Sequence, residues 1–322
     1  MRLEKLEALR GFAALYVVLH HTISGNTTFH GIQIGLALRF GQEAVILFFL
    51  LSGFVINYSF RTKPDKSFKT YFSKRFFRIY IPLIIAFIVG YLSESYNAGT
   101  LLNPQFQYLV SNLLMLQDWH KVKPNVLATP YMENNPLWSL SYEWWFYMLY
   151  FPLVSYVRNR VTRDFTIVTV CIVAAISYVY FPNFITRLLM YLIIWWAGVQ
   201  LSDLFIDQAL TLKRAILLTL GVPIITCVLF LSVAEHKISG GNLTLGFHPF
   251  LEFRHLASAV VMITIELFWH RTRWRGFNTI FKPFLWLAPI SYVIYISHIH
   301  IMAKTTYLDW TDNVYIEWLV IL

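Results

Sequence analysis

Two ionisable side chains, Arg10 and His21, lie eleven residues apart in the first apolar stretch of the chain. Eleven residues at about 100° each make three turns plus roughly 20°, so both point to one side of a helix, roughly 16 Å apart along its axis. Ionisable groups inside a membrane helix are costly and normally face a protein interior or a wet cavity. The spacing predicts divided roles: Arg10 holds phosphate or carbonyl oxygens, and His21 takes a proton from a hydroxyl. The alternative is a snorkelling Arg and a structural His.

A second pair of cations, Arg75 and Arg78, closes a basic segment that begins at Arg61. The two are spaced i, i+3 and therefore share one side of a helix. Such a pair can clamp a phosphorylated cofactor at the cytosolic surface. It can equally hold the headgroups of anionic lipids, and the spacing alone leaves both interpretations open.

A carboxylate, Glu143, stands more than a turn inside an aromatic-rich apolar segment. A buried carboxylate needs a partner, and such a group can orient a histidine or bind sugar hydroxyls. The alternative is an ion pair between helices, with Arg187 or Arg254 as the partner. Ser139, one turn before Glu143, is a further candidate for binding or orienting the substrate.

Near the end of the chain, Tyr295 and His298 are spaced i, i+3 and share a helix face, which makes both candidates for orienting the substrate. His298 and His300 diverge by about 200° on a helix. Because neighbouring Cys and carboxylate residues do not complete a ligand set, we predict no metal site. Cys171 and Cys227 both fall in apolar runs, and we expect neither to form a disulfide.

The composition indicates the class of protein that positions these residues. Hydrophobic residues make up 57% and charged residues 13% of the 322 residues, whereas soluble domains carry about 25% charged residues. The net charge of +9 does not indicate nucleic acid, because the cations sit mainly between apolar runs. Loops on the cytoplasmic side of a membrane protein carry an excess of Lys and Arg. A cytoplasmic N-terminus puts all but seven of the 26 Lys and Arg residues on the inner side, so we predict that orientation. The seven are Arg39, Lys121, Lys123, Arg187, Lys237, Arg254 and Lys304.

The apolar runs predict an all-α, polytopic transmembrane bundle of about ten spans that forms a single membrane-embedded domain over residues 1–322. A tenth span begins near Tyr315, and its eight residues rise only about 12 Å, so we expect this last span to be incomplete. The other nine are expected near 8–24, 43–60, 79–93, 138–157, 165–182, 185–203, 215–233, 252–269 and 284–303.

Five segments in this order resemble the integral-membrane acyltransferase 3 family, of the O-acetyltransferase type without a fused soluble domain. One of them pairs bulky aromatics with Ser52-Gly53, for which we predict close helix packing and no chemistry. The chain departs from many relatives at Ala44-Val45-Ile46, where they carry Gly-Val-Asp. The five segments read LRGFAALYVVLHH, FFLLSGFVI, KRFFRIYIP, PLWSLSYEWWFY and SYVIYISHIHI.

The resemblance implies an acyl-CoA-type co-substrate, acetyl-CoA in the simplest case, that arrives from the cytosol, with no bound cofactor. It also implies an acceptor hydroxyl or amine on the outer side, carried by a glycan or glycolipid. In this hypothesis Arg75 and Arg78, together with Arg10, hold the donor. His21 deprotonates the acceptor or accepts the acyl group itself, and Glu143 or His298 orients the reacting groups. The catalytic set is thus His21, Arg10 and Glu143.

The leading interpretation is a bacterial inner-membrane enzyme that acylates a glycan. Its expected partners are membrane lipid, acyl-CoA and the acceptor, and we expect it to bind no nucleic acid. A transporter with charges along its substrate path is the second interpretation, although the sequence lacks the repeat symmetry and the broken helix pairs of many transporters. An inert scaffold is the third, but it gives no reason for Arg10 and His21 to align. The oligomeric state stays open.

Overall fold

The computed structural model describes residues 2–23, 27 and 33–303, and within them the secondary structure is helical. Eight of the helices in that part of the chain contain 18 or more residues, a length typical of membrane spans. They are α1 (Arg2–Thr22), α3 (Gly41–Thr62), α4 (Phe68–Asn97), α6 (Trp138–Tyr156), α7 (Arg160–Tyr180), α8 (Phe184–Ile206), α10 (Gly221–Ile238) and α11 (Phe250–Arg271).

Shorter helices lie between the long ones and after them. The longest connection, from α4 to α6, contains one short α-helix and two 3₁₀ turns. The short α-helices are α2 (Ile34–Ala37), α5 (Phe106–Leu113), α9 (Leu212–Leu218), α12 (Phe277–Ile280) and α13 (Ser291–His298).

Five helices of the described chain are both long and apolar enough to cross a membrane: α3 with the residues just before it, α4, α7, α8 and α10. The helices α1, α6 and α11 have sufficient length but carry more polar or interfacial side chains, among them the candidate site residues Arg10, His21 and Glu143. The all-helical membrane fold is therefore confirmed, whereas ten spans and a cytoplasmic N-terminus stay predictions. The predicted tenth span, from Tyr315, lies outside the described residues.

Two of the predicted spans are interrupted. The segment 284–303 is not one helix, because a 3₁₀ segment (Lys282–Leu287) is followed by a turn, by α13 and by a π-helical turn (Ile299–Ala303). Pro289 lies in that turn, where its missing N–H and its ring oppose a continuous helix. The segment 215–233 is divided between α9 and α10.

Close contact between α3 and α8 forms the centre of the bundle. A Cβ atom on Gly53 would lie 1.9 Å from the backbone oxygen of Trp195, and one on Gly198 would lie 2.1 Å from that of Leu50. Only glycine permits such close backbone approach at these two positions. The packing role predicted for the Ser52-Gly53 segment is therefore confirmed for Gly53.

Candidate active site

Five of the predicted site residues line one small cavity between α1, α3, α4, α6 and α13. They are Arg10, Arg78, Ser139, Glu143 and Tyr295, and they come from segments far apart in the chain. The cavity has a volume of about 60 Å³, enough for a few water molecules or the reactive end of a small group. The fold thus brings cations, a carboxyl group and hydroxyls together around one space.

A wider cavity of about 610 Å³ adjoins the small one and shares Arg10, Arg78 and Tyr292 with it. Its remaining lining includes Glu7 and Pro289, near the first turns of α1 and the start of α13. Within the described residues, neither of the two guanidinium groups forms a salt bridge or a hydrogen bond. The junction between the two cavities therefore carries positive charge that is free to meet an anion.

Glu143 is held by two hydroxyl groups. Ser52 Oγ donates a hydrogen bond to Glu143 Oε1 at 2.7 Å, and the Tyr147 hydroxyl donates to the same oxygen. Ser52 Oγ in turn accepts a hydrogen bond of 3.2 Å from Trp195 Nε1 on α8. These contacts fix the carboxyl group at the cavity wall. The spacing i, i+4 between Glu143 and Tyr147 on α6 could have indicated this tyrosine as a partner of the carboxyl group. Nothing in the sequence near Glu143 indicated Ser52.

The alternative partners that the sequence suggested for Glu143 are wrong. Arg187 pairs with Asp118 instead, at 2.8 Å, and Arg254 pairs with Glu43. Both arginines are neutralised by acidic residues whose positions in the sequence gave no hint of the pairing. Glu143 is left to face the cavity.

The imidazole rings of His21 and His298 pack together, with 5.0 Å between their centres. His21 Nδ1 lies 2.9 Å from the Val17 carbonyl oxygen, and His298 Nδ1 lies 2.8 Å from that of Tyr295. A carbonyl oxygen only accepts, so these contacts assign the proton to Nδ1 in both rings and leave a lone pair on each Nε2. Each ring is therefore prepared to act as a base through Nε2.

The histidine pair lies next to the small cavity rather than on its lining. Tyr295 connects the two places, because its hydroxyl lies 2.7 Å from Ser139 Oγ at the cavity and its ring centre lies 6.2 Å from that of His298. His298 Nε2 is buried and has no hydrogen-bond partner in the described part of the chain. His20 points elsewhere, with Nδ1 2.6 Å from the Leu38 carbonyl oxygen.

Arg75, predicted to act together with Arg78, does not line either cavity. Its guanidinium lies 3.6 Å from the centre of the Tyr71 ring and donates a hydrogen bond of 2.8 Å to the Tyr71 carbonyl oxygen. Residues spaced i, i+3 differ by about 60° around a helix, which suffices to direct two long side chains to different neighbours. Of this pair, only Arg78 reaches the site.

A buried charge network on the connection before α6 is a feature that the sequence did not indicate. The Asp118 carboxylate accepts from Lys123 Nζ at 2.8 Å, from Arg187 Nε at 2.9 Å and from the Tyr142 hydroxyl at 2.6 Å. Burial alone would raise the pKa of Asp118, but the charges of Lys123 and Arg187 outweigh it and hold that pKa below its usual value. Burial lowers the pKa of Lys123 to about 8, although Asp118 opposes the change. The network fastens this connection to α6 and α8.

The class of protein follows from the fold, the site and the family comparison together. The family model described as an acyltransferase domain matches residues 3–322, so the chain belongs to the acyltransferase 3 family. The family is one of acyltransferases, and the helices that are long and apolar enough to cross a membrane indicate an integral membrane protein. This assignment favours the enzyme over the transporter that the sequence left open.

A curated relative supports the assignment. The chain is 40% identical over 159 residues to the acyltransferase MdmB of Streptomyces mycarofaciens, an alignment that covers 48% of this chain and 39% of the relative. The chain thus matches about two fifths of the length of that relative. No solved structure matches the chain.

Proposed function

We propose that this protein transfers an acyl group, acetyl in the simplest case, from cytosolic acyl-CoA to a hydroxyl of an envelope or exported glycan. We place it in a bacterial inner membrane, as one domain of about ten spans with a cytoplasmic N-terminus. Membership in an acyltransferase family supports the transfer reaction. The donor, the acceptor, the membrane and the topology are our inference from the site and from the distribution of basic residues.

The observation that carries the proposal is the position of Arg10 and Arg78 where the wide and the small cavities meet. Acyl-CoA is an anion at its phosphates and a neutral thioester at the end of a long, thin arm. The wide cavity suits the anionic part, since guanidinium groups bind phosphate strongly and with two parallel hydrogen bonds. The small cavity suits the narrow thioester arm, and Arg10 on its wall can hold a phosphate or carbonyl oxygen of the donor as the arm passes.

His21 is the proposed base, because its Nε2 carries a free lone pair next to the buried His298. In direct transfer, the acceptor hydroxyl gives its proton to His21 Nε2 while its oxygen attacks the thioester carbon. The carbon–sulfur bond then breaks, and the CoA thiolate leaves and takes up a proton. In the covalent alternative, His21 Nε2 itself attacks the thioester carbon, the carbon–sulfur bond breaks and the CoA thiolate leaves. In a second step the acceptor oxygen takes the acyl group from Nε2, and the acceptor's proton passes to the thiolate.

The remaining predicted residues have orienting roles in this proposal. Glu143 lines the same cavity as the two arginines and, held by its hydroxyl partners, directs them toward the donor. Ser139 and Tyr295 offer hydroxyls along the line from the cavity to His298, which in turn fixes the ring of His21. Arg75 has no direct role, because its guanidinium is committed to Tyr71.

Membranes that contain the protein test the proposal when they receive labelled acetyl-CoA and a candidate glycan. We expect label in the glycan with the wild type and with His20→Ala, the matched control for the neighbouring imidazole. For His21→Ala we expect the rate of labelling to fall by at least about 100-fold, because general acid–base catalysis usually contributes that much. Equal labelling by His21→Ala would remove that residue from the mechanism. Substrate flux without any new ester would contradict acyl transfer itself.

A further inference from the structure

A second, apolar cavity lies behind the small one, between α1, α3, α8 and α11. It has a volume of about 260 Å³, and its walls are aliphatic and aromatic apart from Glu266. Of the residues described, only Leu51 lines both this apolar cavity and the small cavity. Its side chain is buried, with 4% of its surface exposed. One leucine side chain therefore separates the candidate active site from a larger apolar space.

The phase of helix α3 explains why Leu51 holds this position. Leu47, Leu50 and Phe54 line the apolar cavity, whereas the small cavity is lined from α3 by Phe48, Phe49, Ser52, Val55 and Ile56. At about 100° per residue, the two sets centre on directions roughly 170° apart. Leu51 falls between them, somewhat nearer to the apolar set. Its place between the two cavities therefore follows from the phase of the helix.

We propose that Leu51 is the wall that limits the length of the acyl chain which the enzyme accepts, and that the apolar cavity would take a longer chain if this wall were removed. The proposal rests on the proposed acyl-CoA donor. The small cavity is lined by the cations Arg10 and Arg78 and also by the apolar side chains of Phe48, Leu51 and Val55. An acyl group whose thioester enters the cavity past the cations meets these apolar side chains, where about 60 Å³ admits only a short chain.

The energetics of apolar burial set the size of the expected effect. Each methylene that leaves water for an apolar site contributes about a fourfold gain in affinity. In the wild type, the carbons beyond the first few meet the Leu51 side chain, and that gain is lost to steric conflict. A smaller residue at position 51 joins the two cavities, so a hexanoyl chain can bury carbons that an acetyl group lacks.

The chain offers a matched control for this test in Leu50. Leu50 is 5% exposed, comparable to the 4% of Leu51, and it lines the apolar cavity without touching the small one. Leu50→Ala and Leu51→Ala therefore remove the same atoms from equally buried sites of one helix. Only Leu51→Ala opens the partition. Leu51→Val is a milder variant that guards against a loss of folding, which thermal unfolding in detergent checks for every variant.

The experiment measures equilibrium binding of acetyl-, butyryl-, hexanoyl- and octanoyl-CoA to each purified protein in lipid nanodiscs, and transfer of each acyl group to the glycan. We expect the ratio of hexanoyl-CoA to acetyl-CoA affinity to rise tenfold or more in Leu51→Ala, and by a smaller factor in Leu51→Val. For Leu50→Ala we expect that ratio to stay within twofold of the wild type.

An unchanged ratio in Leu51→Ala, an equal rise in Leu50→Ala, or a wild type that binds octanoyl-CoA as well as acetyl-CoA would each overturn the role of Leu51. If the thioesters bind but no acyl group reaches a glycan, the proposed acceptor fails, while the binding ratios still decide the role of Leu51. If none of the thioesters binds to any of the proteins, both the donor assignment and the role of Leu51 are overturned.

Discussion

The protein contains two clusters of charged side chains that differ in burial and in how the charge is balanced. In the network on the connection before α6, Asp118 lies between Lys123 and Arg187, and all three side chains are at most 1% exposed. Asp118 also accepts from Tyr142, and Lys123 lies 3.5 Å from the centre of the Trp138 ring. Each of these charges has a close partner of opposite sign or an aromatic face.

The cluster at the candidate site is arranged differently. Arg10 and Arg78 face a cavity together with one carboxyl group, Glu143, whose hydrogen bonds come from the neutral hydroxyls of Ser52 and Tyr147. In the described chain neither arginine forms a salt bridge. Arg10 is half-buried and Arg78 is exposed, so both guanidinium groups remain accessible to an anion. A cation in a membrane helix carries a free-energy cost that functional sites tolerate. The comparison therefore separates a cluster that stabilises the fold from one that we propose binds an anion.

The largest effect on stability should come from the balanced network. Arg187→Met leaves Asp118 with one cationic partner in a fully buried site, and breaking a buried pair in this way costs about 3–5 kcal/mol. We expect a clear fall in the free energy of unfolding, measured by thermal unfolding in detergent. Lys121→Met is the control, because its ion pair with Glu133 is 3.4 Å long and exposed and should contribute at most about 1 kcal/mol. Equal effects of the two variants would contradict the assigned role of the network.

The opposite pattern is expected for Arg10→Met. Removing this cation relieves a desolvation cost, so the variant should unfold at the temperature of the wild type or above it. Its kcat/KM for acetyl transfer should fall by about 10- to 100-fold, as expected when a charge-assisted contact with the donor, roughly 1.5–3 kcal/mol, is lost. The paired measurement is acetyl transfer and thermal unfolding on the same preparation. A variant that loses activity only in proportion to its folded fraction would place Arg10 with the structural cluster.

Much of the fold could be predicted from the sequence, because long apolar runs report helices that cross a membrane. The prediction failed at 284–303, where hydropathy cannot detect that the backbone around Pro289 departs from a regular helix. The apolar run predicted near 8–24 falls within a helix that begins earlier, at Arg2, because its first two turns are polar yet helical.

The candidate site was only partly predictable, for a different reason. Arg10 and Glu143 are conspicuous because a charge in an apolar run is rare, and that signal is local. Ser52 lies 91 residues before the carboxyl group to which it donates, and Asp118 lies 69 residues before Arg187. Such pairings depend on tertiary packing, so a single sequence does not report them. For Arg75, the spacing predicted a position near Arg78 on the helix, but it did not reveal that the guanidinium folds back onto Tyr71 of the same helix.

The smallest effect in the comparison concerns the groups that hold Glu143. Ser52→Ala removes one hydrogen bond to the carboxyl group, while Tyr147 keeps the other. We expect kcat to fall about tenfold, equivalent to roughly 1.4 kcal/mol, with little change in KM, because Ser52 orients a site residue and does not bind the donor. Ser141→Ala is the matched control, since this buried hydroxyl on α6, the helix of Glu143, donates to the carbonyl oxygens of Gln117 and Trp138 instead. A rise in KM with unchanged kcat would show that Ser52 contributes to binding the substrate, and equal losses of kcat in both variants would show that Glu143 does not depend on this hydroxyl.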